Sequence, residues 1–211
     1  MPGWTSHSRV DGLIVDSLAG NVAVVTVSDL EPDTAVVAHT SEEVFAPQVH
    51  VDDAKRLRIE SWPSPLSFVQ QSMRINTLVL VPPGLTEIDA SLKAGELWVF
   101  GDAQNVAADC VRASLFAGDV VLVDVIASRI GASNYLGDVT VHWDCDRSSF
   151  HSIEIAATTK LGDANVTTSG TIESENKSGV AHSVLDWRGK WFLGTGRGFF
   201  NDEISPKTKR N

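Results

Sequence analysis

One pattern recurs in the chain: ASLKAGELWV at 90–99, ASLFAGDVVL at 113–122, ASNYLGDVTV at 132–141 and ATTKLGDANV at 157–166. Each stretch begins with a small residue and contains Ala or Leu, then a glycine, then an acidic residue. The glycine recurs after 23, 19 and 25 residues. A unit of this length cannot bury its own apolar face, so the pattern predicts stacked structural repeats.

The composition favours strands as the stacked units. The chain contains 26 Val, 10 Ile and 14 Thr, whose branched side chains suit a pleated strand. Apolar residues also alternate at a spacing of two, as Val139 and Val141 do. We therefore expect an all-β fold, a right-handed parallel β-solenoid with an amino-terminal β-sheet segment and rungs about 4.8 Å apart.

The pattern divides the chain into three parts. Residues 1–81 contain short apolar runs separated by Pro, Asp and Ser, which predicts an amino-terminal β-segment that caps the solenoid. Residues 82–200 are predicted to form the solenoid rungs. Residues 201–211 end in SPKTKRN, which contains lysine and arginine without apolar residues to pack against, and are predicted to be a flexible basic tail.

The glycine and the acidic residue of each stretch have a structural interpretation. Glycine adopts positive φ without steric cost where a rung changes direction, and the acidic side chain can accept hydrogen bonds from turn amides. The alternative is a cation or calcium site, because stacked carboxylates repel one another. Turn chemistry is preferred because the sequence lacks the dense nine-residue pattern of calcium-binding solenoids. The acidic residues concerned are Glu96, Asp119, Asp138 and Asp163.

Longer stretches carry a family resemblance. The segment LVLVPPGLTEIDASLKAGELWV (78–99) is followed by the glycine-acidic units at Gly118, Gly137 and Gly162, and LAGNVAVVTV (18–27) precedes it. In this order they resemble the bacterial putative-adhesin family of domains of unknown function, over residues 10–200. The resemblance implies an amino-terminal β-segment followed by a solenoid, and it supplies no catalytic residues.

Charge and cysteine content exclude several classes of function. The 17 basic residues are outnumbered by 27 acidic residues, giving a net charge of −10, which argues against binding to nucleic acid or anionic membranes. No secretory signal or membrane-spanning run is visible, so a cytoplasmic protein without membrane insertion is predicted. Cys110 and Cys145 are expected to be reduced thiols. No cofactor is expected.

One strand has residues that could bind a metal. Thr140, His142, Asp144 and Asp146 alternate along it, on the face opposite Val141, Trp143 and Cys145. A site built from His142 and the two aspartates is less favoured than a solvated polar face, because one strand supplies few ligands. No metal site is therefore predicted.

The candidate binding residues are apolar and come from two regions. The first set is predicted to share the outward face of the first two rungs: Trp98, Phe100, Val121 and Val123. Strands that are apolar on both faces are usually covered on both. We expect cover either from the amino-terminal segment through Trp62 and Phe68, or from a protein partner or second copy of the chain.

The second region is the aromatic carboxy-terminal end, with the candidates Trp187 and Trp191 near Phe192, Phe199 and Phe200. These residues are interpreted as a hydrophobic cap over the last rung. The alternative is a surface that stacks on sugar rings or anchors a partner.

The function predicted from these features is a non-enzymatic binding or scaffolding module, with a protein partner or homo-oligomer and, more weakly, carbohydrate as its ligand. The alternative is a polysaccharide-active enzyme that uses paired carboxylates, with Asp102, Asp124 and Asp144 as candidates. Two carboxylates in a cleft, one with a raised pKa, would favour the enzyme.

Overall fold

The computed structural model describes residues 3–40, 47–61, 76–102, 104–143, 152–168, 174–175, 182–186 and 191–192. The regular elements of this part of the chain are all strands, so the prediction of an all-β chain is confirmed. The strands are β1 (Gly3–Ser8), β2 (Gly12–Thr26), β3 (Thr34–Thr40), β4 (Gln48–Val51), β5 (Arg56–Ser61), β6 (Asn76–Val81), β7 (Leu85–Phe100), β8 (Ala108–Val123), β9 (Ala127–Leu136), β10 (Val139–Trp143), β11 (Ser152–Leu161), β12 (Ala164–Thr168), β13 (Ser174–Glu175), β14 (His182–Asp186) and β15 (Trp191–Phe192). Within these residues no helix is long and apolar enough to cross a membrane.

Most strands belong to one mixed sheet with the order β1-β3-β6-β2-β7-β8-β9-β11-β14. The strands from β6 through β2 to β11 are parallel, whereas β1, β3 and β14 pair antiparallel with their neighbours. The short strands β5 and β6 pair with the first and second parts of β2, and β10 pairs with the second part of β8 and with β12.

The parallel strands are paired in the frame of the sequence alignment. Between β7 and β8, Gly95 lies opposite Gly118 and Glu96 opposite Asp119. The same frame continues into β9, where Leu136 lies opposite Ala117. It also extends backwards into β2, because Gly20 lies opposite Gly95. The frame therefore includes a strand from the predicted amino-terminal segment 1–81.

The aligned glycines are corners at which each long strand, or pair of short strands, changes direction. Gly95 and Gly118 have φ angles of 129° and 128°, a region that residues with a Cβ rarely adopt. A Cβ placed on Gly118 would overlap the carbonyl oxygen of Gly95, and a Cβ on Gly137 would overlap that of Gly118. Glycine is thus required twice, by its own backbone conformation and by the close approach of the next strand.

Side chains inside the corners bond to the glycine carbonyls. The Asn134 amide donates to the carbonyl oxygen of Gly118, and the Thr159 hydroxyl donates to that of Gly137 at 2.8 Å. These bonds satisfy backbone acceptors at a point where the strand bends.

The core lies on one side of these strands, and alternation decides which residues enter it. In β2, Val22 and Val24 are buried, while Ala23 and Val25 face the other side and are half-buried. Burying one such aliphatic side chain contributes roughly 1.5–3 kcal/mol. One buried row crosses five paired strands through Leu13, Ile88, Val111, Ile130 and Ile155.

A separate polar cluster closes the turn between β4 and β5. The Asp52 carboxylate accepts hydrogen bonds from the backbone amides of Ala54 and Arg56, both at 2.9 Å. It also accepts from Nε of Arg56 at 2.9 Å and Nε of Arg58 at 2.8 Å. The Arg56 amide and the Arg58 guanidinium hold the pKa of Asp52 well below its usual range, because both bond to the charged form.

We predict that replacing the corner residue Gly118 destabilises the chain far more than replacing Gly84 or Gly131. Gly118→Ala combines a disfavoured backbone with overlap against the neighbouring strand, so we expect a loss of about 3 kcal/mol or more. Gly84→Ala, at φ 83° with open space around it, should cost about 1–2 kcal/mol. Gly131→Ala, whose Cβ meets only ordinary contacts, should be nearly neutral. Urea unfolding of the three variants checks the order, and equal losses would contradict it.

The Asp52 cluster predicts a pH dependence. A carboxyl whose pKa is lowered by folding stabilises the native state above its unfolded pKa of about 3.9, and this contribution is lost as the pH falls. Asp52→Asn should therefore be less stable than the wild type at pH 7, with a difference that shrinks below about pH 4. Asp53→Asn, at an exposed neighbour, is the control. A difference that stays constant from pH 7 to pH 3 would rule out the electrostatic explanation.

Candidate functional site

The outward faces of the two halves of each bent strand differ in chemistry. The first halves, before the corner glycine, carry charged side chains that pair across strands. Arg56 Nη1 lies 3.5 Å from Glu87 Oε1, and Arg112 Nη1 lies 3.6 Å from Asp89 Oδ2. Surface pairs of this kind contribute little to stability, and they make this part of the outward face largely charged.

The second halves carry the first set of predicted binding residues on their outward face. Trp98 lies opposite Val121, and Phe100 lies opposite Val123, in the pairing of β7 with β8. Phe100 is 37% exposed, and the other three are half-buried. The structure therefore brings these four residues together on one apolar surface, as the alternation predicts.

This surface continues through β2, β6 and β3 to the edge strand β1. Successive register pairs place five outward residues in one row: Trp4, Ala38, Leu78, Ala23 and Trp98. The two indoles stand at the ends of the row and the three smaller side chains lie between them. With strands about 4.8 Å apart, four strand spacings separate the ends by about 19 Å.

The small residues between the two tryptophans leave a groove with a volume of about 400 Å³. We call it the tryptophan groove; its lining is Trp4, Asn21, Ala23, Ala38, His39, Asn76, Thr77, Leu78 and Trp98. Trp4 is 58% exposed, although tryptophan is usually largely buried. The volume is within the range of small-ligand sites, and an open groove with aromatic ends can bind a flat or extended ligand.

A second exposed aromatic group lies at the corner itself. The rings of Phe116 and Tyr135 are stacked, with centroids 4.9 Å apart and an interplanar angle of 9°. The Lys160 ammonium lies 4.5 Å from the Tyr135 ring centroid and 3.2 Å from its hydroxyl oxygen. These three side chains contact one another. Substitutions among them therefore serve as controls for substitutions in the groove.

Of the four acidic residues after the corner glycines, Asp119 and Asp138 each accept a backbone amide at the next corner. Asp119 Oδ1 accepts the backbone amide of Asp138 at 3.0 Å, and Asp138 Oδ1 accepts that of Asp163 at 2.9 Å. In β2, Asn21 takes the acidic position, and its Oδ1 accepts the Glu96 amide at 3.2 Å. Among the described residues, no group of three or more His, Cys, Asp or Glu side chains is arranged to hold a metal ion.

The carboxylates proposed for an enzyme have other partners. Asp102 accepts a hydrogen bond from the Asn105 amide at 2.8 Å, and its pKa is lowered chiefly by this bond. Asp124 Oδ1 lies 3.8 Å from Nε2 of His142, whose Nδ1 lies 2.9 Å from the Thr167 hydroxyl. Asp144 is outside the described residues.

Several other predicted residues cannot be placed. Trp62, Phe68, Cys145, Asp146, Trp187 and the tail 201–211 lie outside the described residues, and of Trp191 only its strand is described. Cys110 is a buried free thiol. The cytoplasmic location stays a prediction.

Trp4 and the groove were not predicted from the sequence. Two signals were present, Ala23 and Ala38. Each alternates with buried residues and so is expected to face outward, where a small side chain leaves room beside larger ones. The order in which β1, β3, β6 and β2 pair, which brings Trp4 into the row, has no local signal in the sequence.

The fold is similar to that of a solved structure, a putative cell adhesion protein from Clostridium sporogenes ATCC 15579. The TM-score is 0.56 at 14% identity, and the match covers 95% of this chain and 98% of that chain. This likeness shows a shared fold.

Two further structures match along most of their length. A putative adhesin from Parabacteroides merdae ATCC 43184 has 8% identity and a TM-score of 0.30, over 95% of this chain and 94% of that chain. A putative lipid binding protein from Parabacteroides distasonis ATCC 8503 has 10% identity and a TM-score of 0.25, over 94% and 96%. No family model matches the sequence, and no curated protein does.

The bonds of the acidic residues predict how substitutions at Asp138 act. Asp138→Ala removes the acceptor for the Asp163 amide, and should lower the free energy of unfolding by about 1 kcal/mol. Asp138→Asn keeps Oδ1 and removes a charge between Asp119 and Asp163, so it should be at least as stable as the wild type. Thermal unfolding with and without calcium checks both. A rise in Tm with calcium that Asp138→Asn abolishes would instead indicate a cation site.

Proposed function

We propose that the chain is a non-enzymatic, adhesin-type binding module whose binding surface is the outward apolar face of β7, β8 and the strands that continue it. The observation that carries the proposal is the groove between Trp4 and Trp98. A chain with 27 acidic and 17 basic residues has ample polar side chains to solvate a surface. Large apolar side chains retained together on one outward face are typical of interaction sites.

We propose further that the parallel strands wind as a right-handed β-solenoid. The in-register corners and the single buried side of the strands support this arrangement. Connections between parallel strands of one sheet are almost always right-handed. A solenoid would hold the outward face rigid, so that a ligand would meet a surface that needs little ordering on binding.

Two observations favour binding over polysaccharide hydrolysis. A general acid requires a raised pKa, whereas the pKa of Asp102 is lowered by its bond from Asn105. Asp124 faces His142, not another carboxylate. The fold shared with the Clostridium protein described as a putative cell adhesion protein agrees with a binding role.

The occupant of the surface is proposed to be another molecule or a second copy of the chain. The test compares two double variants, each of which replaces two aromatic residues by serine. The face variant carries Trp98→Ser and Phe100→Ser together, and the corner variant carries Phe116→Ser and Tyr135→Ser together. In capture from extracts of the native cell, the partner should bind the wild type and the corner variant, and bind the face variant at least about tenfold more weakly. If the occupant is a second copy of the chain, light scattering should show that the wild type and the corner variant self-associate and that the face variant does so more weakly.

Two results would contradict this proposal. One is equal capture and equal self-association by the face and corner variants, with both folded by circular dichroism. The other is that the wild type releases reducing ends from a polysaccharide and that Asp102→Asn or Asp124→Asn abolishes this release. Such a result would establish the enzyme.

A further inference from the structure

We infer that the tryptophan groove binds a neutral carbohydrate chain, with the Trp4 and Trp98 indoles stacking on sugar rings near its two ends. The inference rests on the proposed binding role of this face and names its ligand class. It depends on three properties of the groove: its charge, its polar rim and its length.

The lining of the groove carries no formal charge. Its nine residues include no lysine, arginine, aspartate or glutamate, in a chain whose net charge is −10. Glu96, opposite Asn21 in the pairing of β2 with β7, is outside the lining. An anionic ligand would meet no cation here, and a cationic ligand would find no carboxylate in the groove. The complementary ligand is therefore uncharged.

The rim supplies hydrogen-bonding groups suited to hydroxyls. Asn21 and Asn76 lie opposite each other on adjacent strands, at the end of the groove beyond Ala23 and Leu78. An asparagine amide offers both donors and an acceptor, as a sugar hydroxyl does. A purely aliphatic ligand would cover these amides without bonding to them, which costs free energy. The rim thus favours a polyhydroxylated ligand over a lipid tail.

The floor and ends suit the apolar faces of sugar rings. Ala23 and Ala38 keep the floor low, so a ring can lie flat against an indole that stands beside it. Tryptophan presents the largest apolar face of any side chain, at little cost in conformational entropy. The separation of about 19 Å between the two ends, from four strand spacings, requires an extended ligand of several rings.

The experiment is isothermal titration calorimetry of the full chain with neutral tetrasaccharides: cellotetraose, maltotetraose, xylotetraose and mannotetraose. At least one should bind the wild type, and more tightly than its monosaccharide. Trp4→Ala and Trp98→Ala should each weaken binding roughly tenfold or more, as expected for an aromatic anchor. Trp98→Phe should restore part of the loss, and Phe116→Ala at the corner should have no effect.

Three results would overturn the inference. They are the absence of binding by every tetrasaccharide, binding that survives both tryptophan substitutions, and binding of tetragalacturonate as tight as that of the neutral chains. Failure of the ligand class is distinguishable from failure of the binding role. If no tetrasaccharide binds but Trp98→Ser with Phe100→Ser still abolishes capture of a partner, only the carbohydrate assignment is wrong.

Discussion

The close stacking of glycine corners is the constraint on which the rest of the structure depends. At each corner the backbone takes a φ that side chains disfavour, and the carbonyl oxygen of the preceding strand occupies the place of a Cβ. Only strands with glycine at the same position can meet in this way. The corner therefore fixes the pairing of β2, β7 and β8 to a single frame.

That frame determines which residues enter the core and which face outward. Side chains alternate along a strand, so a shift of one residue would exchange the two faces. In the observed frame Leu97 and Val99 are buried, and Trp98 between them faces outward. The neighbouring strand repeats this arrangement, because Val120 and Leu122 are buried and Val121 faces outward. The acidic residue after the glycine reinforces the frame, because Asp138 Oδ1 accepts the amide of Asp163 at the next corner. Register, core and binding face are consequences of one local arrangement.

Much of this could be predicted from the sequence. Spacing and composition predicted strands, and alternation predicted that Trp98, Phe100, Val121 and Val123 share a face. Turn chemistry predicted that the acidic residues accept backbone amides, as Asp119 and Asp138 do, although not that the amide belongs to the next corner. These features depend on local backbone preference and on a periodicity visible within ten residues.

The groove could not be predicted, because it is formed by strands distant in sequence. Trp4 joins Trp98 only through the order β1-β3-β6-β2-β7, and pairings between short strands of the first 81 residues are set by long-range packing. Gly20 was a further signal, for the pairing of β2 with β7: it is followed by Asn21 in the place of an acidic residue and pairs with Gly95.

The most direct test of the central claim is a NOESY spectrum of the isotopically labelled chain, assigned through residues 85–143. Stacked corners predict cross-peaks between backbone protons of Gly95 and Gly118, and between those of Gly118 and Gly137. Cross-peaks that instead join Phe100 with Ala108, as an antiparallel hairpin of β7 and β8 would produce, would contradict the account.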